Sequence, residues 1–147
     1  KGRAVQRTGK LDVWQRMETA KMEVSTISFE QVDDFSSILK EPADWLRSIG
    51  EEMWTAEQVS AQGLLSEYTI DEMFLGSLDG IPIATMILQE EDALFWPFVL
   101  KGESLFLHRL SVRRAFAGTG LAVAMIDWAK REVNCRSKKF LRLDCVL

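Results

Sequence analysis

Residues 105–133 read LFLHRLSVRRAFAGTGLAVAMIDWAKREV, and the residue types fall in the order strand, tight loop, helix. Residues 105–112 are apolar apart from His108, Arg109 and Ser111, which suits a central strand with both faces largely covered. Residues 113–119 break that pattern with small and basic residues. From Gly120 onward Leu121, Met125 and Trp128 recur at helical spacing beside Ala122, Ile126, Ala129 and Val133. Asp127, Lys130, Arg131 and Glu132 fall mainly on the other side, so the spacing predicts an amphipathic helix.

A unit of this kind favours an anion. The first turn of a helix carries N–H groups without intrahelical partners, and the aligned peptide dipoles place about half a positive charge there. Gly118 and Gly120 lack a Cβ, so a loop built on them can turn sharply and bring its N–H groups against a bulky oxyanion. Arg113 and Arg114 are expected to add mobile positive charge beside it. The plain alternative is a tight strand-to-helix turn with no ligand.

The nucleoside-triphosphatase loop requires a Lys after its second glycine, and Leu121 follows Gly120 here; the dinucleotide fingerprint GxGxxG has Val123 at its last glycine. The stretch resembles instead the acetyl-CoA loop, (Q/R)xxGx(G/A), of the GCN5-related N-acetyltransferase superfamily. Residues 117–122 cover the pattern, with Gly120 and Ala122 in the G and G/A positions and Ala117 where members usually carry Gln or Arg. That departure removes a side chain but leaves the backbone N–H groups that mainly recognise the pyrophosphate in the family. The preceding LHRLSV is similar to members whose Leu-x-Val offers backbone groups to the pantetheine arm, here residues 110–112, and the trailing FLRLDC resembles the family's fifth strand.

The resemblance implies an α+β, three-layer acyl-CoA N-acyltransferase fold: a mixed, largely antiparallel sheet flanked by helices. It implies acetyl-CoA as cosubstrate, held by Leu110, Ser111, Val112, Arg113, Arg114, Ala117, Gly118, Thr119, Gly120, Leu121 and Ala122, with no metal. It also implies that the fourth strand splays from the fifth, letting a backbone N–H near Leu110 or Val112 reach the thioester carbonyl. Members continue after the fifth strand into a fourth helix, with a thiolate-protonating Tyr, and a closing hairpin. Residues 22–147 are therefore expected to form a C-terminally incomplete domain, either truncated or completed by a partner, which allows a homodimer.

The chain has 147 residues, 47% of them hydrophobic, enough for one domain with a proper core. No apolar run reaches the roughly 20 residues of a membrane span, and a soluble, cytoplasmic protein is expected. Cys135 and Cys145 stand at no metal-ligand spacing; Cys145 reads as a buried strand thiol and Cys135 as incidental. Residues 1–22 carry a net charge of +4 and the remainder −8. The basic segment 1–21 reads as a leader or linker, since a nucleic-acid-binding arm would interleave aromatics and only Trp14 is present.

Residues 23–29 alternate as a first strand, and residues 32–39 show helical spacing that Pro42 is expected to interrupt. A second short helix is expected over 43–53, with Trp45, Leu46 and Ile49 inward, and a third over 56–65 capped by Thr55. Residues 72–77 and 81–89 flank Asp79-Gly80, a strong hairpin signal, with Pro82 near the start of the second run, where a missing N–H costs the ladder least. The loop 90–102 holds Phe95, Trp96 and Phe98, which either line an acceptor pocket or pack on the sheet.

His108, the only histidine, stands four residues before Val112; free imidazole titrates near pH 6.5, which suits a base for an ammonium. Some arylalkylamine acetyltransferases of the superfamily carry histidine in a similar LHxLxV, which makes His108 the candidate catalytic base; the other reading is a hydrogen-bonded structural histidine. Glu103 is a weaker substitute. The expected activity is acetyl transfer from acetyl-CoA to a primary amine of a small molecule, through a ternary complex. A non-catalytic CoA-binding sensor module is the alternative.

Overall fold

The computed structural model describes residues 21–144, so the expectations for residues 1–20 and for Cys145 lie outside the described residues. One sheet has strand order β1 (Glu23–Thr26), β2 (Met73–Leu78), β3 (Ile81–Gln89), β4 (Ser104–Val112) and β5 (Phe140–Leu143). Neighbours are antiparallel as far as β4, and β5 runs parallel to β4. Helices α1 (Val32–Ser48) and α2 (Ala61–Glu67) bury Phe35, Ile38, Leu39 and Leu64 against Met73, Leu75 and Ile87 on one face. Helix α3 (Leu121–Cys135) buries Leu121, Met125, Ala129 and Val133 against Phe74, Met86, Leu105 and Leu107 on the other. This is the expected three-layer α+β architecture with a mixed sheet.

The β2–β3 hairpin forms at Asp79-Gly80, with φ of 49° and 77°, the two positive values that a two-residue turn needs to match strand twist. Between β2 and α3 the layers meet at Gly76, where a Cβ would come within 2.7 Å of Met125 Sδ. The small residue lets the helix lie close to the sheet.

Three helical expectations are corrected. Helix α1 runs unbroken through Pro42 to Ser48, so the two helices expected on either side of it are one. Burial of Phe35, Ile38 and Leu39 before the proline and Ala43 after it outweighs the roughly 3 kcal/mol that an interior proline costs. Trp45 and Ile49, expected inward, are 43% and 56% exposed. Thr55 caps no helix: it exchanges hydrogen bonds with Gln58 in a turn, and α2 starts later, where Ser60 Oγ accepts from Gly63 N at 3.0 Å. Phe95 and Phe98 do not pack on the sheet, being 58% and 98% exposed, whereas Trp96 packs over Phe106 at 6.4 Å.

Candidate functional site

The site is built on an irregularity of β4. Its register with β3 shifts between Ser111 opposite Thr85 and His108 opposite Ile87, so Arg109 and Leu110 together face the single residue Met86. Arg109 takes up the extra length at φ 52°, a conformation uncommon for a side-chain-bearing residue, and Thr85 Oγ1 fixes it by donating to the Arg109 carbonyl at 2.9 Å. Such strain concentrates where a chain must re-aim its side chains. The Arg109 side chain is 10% exposed, lies over the rings of Trp54 and Tyr68 at 5.2 and 5.9 Å, and approaches Glu67 at 3.6 Å. Its Nε is buried with no hydrogen-bond partner among the described residues.

Among the described residues the last β4–β5 pair is Leu107 with Leu143, and His108 and Asp144 are the residues that follow them. Arg142 pairs with Phe106, and side chains alternate along both strands, so His108 and Asp144 project to the same face as those two. His108 Nδ1 lies 3.5 Å from Asp144 Oδ1, and Nε2 lies 3.5 Å from Asp92 Oδ2, which comes from the loop after β3. Asp92 is held rigidly, its Oδ1 accepting from Leu94 N and Phe95 N at 3.1 Å. Glu90 and Glu91 beside it are engaged by Arg136, Lys138 and Lys101, whereas Asp92 Oδ2 is buried with no hydrogen bond among the described residues.

At the far end of β4 the chain enters the glycine loop. Gly118 and Gly120 sit at φ 73° and 82°, and Gly120 is the N-cap of α3 with no side-chain cap and no acidic residue in the first turn. Among the described residues no side chain caps the first-turn N–H groups of this 15-residue helix, an arrangement that favours negative charge there. Ala117, Gly118, Gly120 and Ala122 are exposed, Thr119 is half-buried with its hydroxyl donating to the Phe116 carbonyl, and Leu121 is buried. Leu110 and Val112 pack on the α3 side, and Ser111 is buried with its hydroxyl unpartnered.

The expectation of mobile arginines is corrected. Arg113 donates from Nε to the Pro82 carbonyl at 3.0 Å, from Nη1 to Glu41 at 2.7 Å and from Nη2 to Ser37 at 2.9 Å. Glu41 also accepts from Arg114 N at 2.9 Å, and the Arg114 guanidinium stacks over Trp45 at 4.4 Å. Arg113 is a clamp between α1, β3 and the loop, and its charge is fixed by Glu41.

Tyr68 is 8% exposed, and its hydroxyl donates to Glu67 at 3.0 Å. Burial pushes the phenol up to about 12; Arg109 opposes the rise and Glu67 adds to it. Sequence reasoning missed Asp92, Asp144, Glu41, Trp54 and Glu67. Only Asp144 carried a signal, since aligning FLRLD beside SLFLH as parallel strands sets it next to His108.

No protein-family model matches the chain. An uncharacterised N-acetyltransferase of Bacillus subtilis, YesJ, is 30% identical over 132 residues, spanning 80% of this chain and 69% of that protein. A GNAT-family acetyltransferase of Listeria monocytogenes superposes with a TM-score of 0.67 at 22% identity, covering 85% of this chain and 77% of that one. The PaiA N-acetyltransferase of Thermoplasma acidophilum, solved with coenzyme A, superposes at 0.63 with 14% identity, covering 84% and 78%. These two establish a shared fold, and the B. subtilis relative extends the likeness to sequence over most of the chain. The chain belongs to the GCN5-related N-acetyltransferase superfamily.

Proposed function

We propose that the protein transfers an acetyl group from acetyl-CoA to a primary amine of a small molecule, with His108 as the base. One juxtaposition carries this. The N-terminus of α3, with no side-chain cap among the described residues, opens at one end of β4, and the bulge with His108 lies just past the last described β4–β5 pair. The pyrophosphate is taken by the N–H groups of residues 118–122, and the pantetheine arm lies along residues 110–112. That the similarly folded T. acidophilum enzyme was solved with coenzyme A supports the choice of cosubstrate.

The amine reaches the site as an ammonium and loses a proton to His108. Its nitrogen then attacks the thioester carbonyl. The C–N bond forms, the C–S bond breaks, and the departing thiolate takes the second proton lost from nitrogen. A backbone N–H freed near the bulge stabilises the oxyanion, an effect of about 3 kcal/mol where such donors have been removed.

The test is release of free thiol from acetyl-CoA in the presence of a primary amine. His108→Ala should lower kcat/KM about 100-fold, the lower range for loss of a general base, with the acetyl-CoA Kd unchanged. Coenzyme A binding without thiol release across a broad amine panel would indicate a non-catalytic module instead.

A further inference from the structure

We infer that Asp92 sets the tautomer of His108 and that Asp144 with His108 Nδ1 forms the seat of the acceptor's ammonium group, an inference that rests on His108 being the base. A neutral imidazole has one N–H and one lone pair. Asp92 is 7% exposed and its Oδ2 has no other partner among the described residues, whereas Asp144 is 34% exposed. The proton therefore belongs on Nε2, where it satisfies the buried carboxylate; leaving that oxygen bare costs more than leaving the solvated one.

That choice turns the Nδ1 lone pair toward a second acceptor, Asp144 Oδ1, at 3.5 Å. Two acceptors facing across such a gap call for a donor with at least two N–H bonds. A primary ammonium placed at hydrogen-bond distance from both fits. It presents one N–H to Asp144, which holds its charge, and another to Nδ1, which takes that proton to give the neutral amine and an imidazolium between two carboxylates. The nearby cations do not compete: Arg109 faces Glu67, and Arg142 on β5 donates to Ser104 and faces Glu103. A neutral donor would gain hydrogen bonds but no charge stabilisation from the two carboxylates, and an anion would be repelled, so the substrate class is a cationic primary amine.

The chain has one histidine, so its two imidazole nitrogens can be read unambiguously by long-range proton–nitrogen NMR. At alkaline pH, where free imidazole is neutral, the full chain should show a protonated Nε2 and a bare Nδ1, and butylammonium should move the Nδ1 resonance. Asp92→Asn keeps the acceptor that holds Leu94 and Phe95 but turns an NH2 toward Nε2. It should therefore move the proton to Nδ1 and lower kcat about 100-fold, with melting temperature and acetyl-CoA Kd unchanged. Asp144→Asn should abolish the butylammonium shift and raise the amine KM about tenfold with less effect on kcat.

An Nδ1-protonated wild type, or Asp92→Asn and Asp144→Asn variants with wild-type kinetics while His108→Ala is inactive, would overturn this inference and leave His108 as the base. Full activity in His108→Ala would remove the base assignment on which it rests.

Discussion

The carboxylate of Glu41, midway along α1, lies 2.7 Å from the Arg113 guanidinium and accepts the Arg114 N–H at 2.9 Å, so one side chain fixes where β4 hands over to the glycine loop. Charge-assisted hydrogen bonds of this sort are worth about 1.5–3 kcal/mol when buried, and the 35% exposure of Glu41 argues for the lower end. Glu41→Ala should lower stability by about 1–2 kcal/mol, seen as a lower urea midpoint at unchanged slope. It should also weaken acetyl-CoA about three- to tenfold by loosening the loop. An unchanged Kd would show that the loop holds its shape without the clamp.

Gly76 offers a test of the layer spacing. A Cβ there would meet Met125 Sδ at 2.7 Å and Ala84 Cβ at 3.3 Å. The flexible methionine can yield to one methyl but not to a branched side chain. Gly76→Ala should cost little and Gly76→Val about 2 kcal/mol, within the range for overpacked cores, measured by thermal or urea unfolding.

The chain contains a single tyrosine, so alkaline absorbance titration reports Tyr68 alone. Its midpoint should fall near 12, against about 10 for a free phenol, because burial disfavours the phenolate. A folded-state value above the unfolded one means that the folded state holds the proton more tightly. The stabilisation is complete below the unfolded value of about 10 and is lost as pH climbs toward 12. Tyr68→Phe should remove that pH dependence.

The periodic and punctuated parts of the fold were legible in the sequence. The 3.6-residue repeat from Leu121 to Val133 and the Asp79-Gly80 turn are local signals, and the structure carries both. Pro42 and Thr55 misled because each was weighed by its local preference, whereas the core under Phe35, Leu39 and Ala43 decides the first, and a reciprocal turn with Gln58 absorbs the second. The loop side of the surroundings of His108 was invisible for a different reason. Asp92 is 16 residues away and its role exists only because a loop folds back over the strand; the bulge at Arg109 leaves no mark in a run that reads as a regular strand.

The most direct measurement is calorimetric titration of the chain with acetyl-CoA beside Gly120→Glu. Gly120 is left-handed at φ 82° with open space around it, so a glutamate there meets no core atom but strains the loop backbone, and Gly120→Ala, strained alike without a carboxylate, serves as the backbone control. The expected result is micromolar binding by the wild type that disappears in the variant while circular dichroism is unchanged. Equal affinity in the two, or no binding by the wild type, would contradict the assignment of this loop as the acetyl-CoA site.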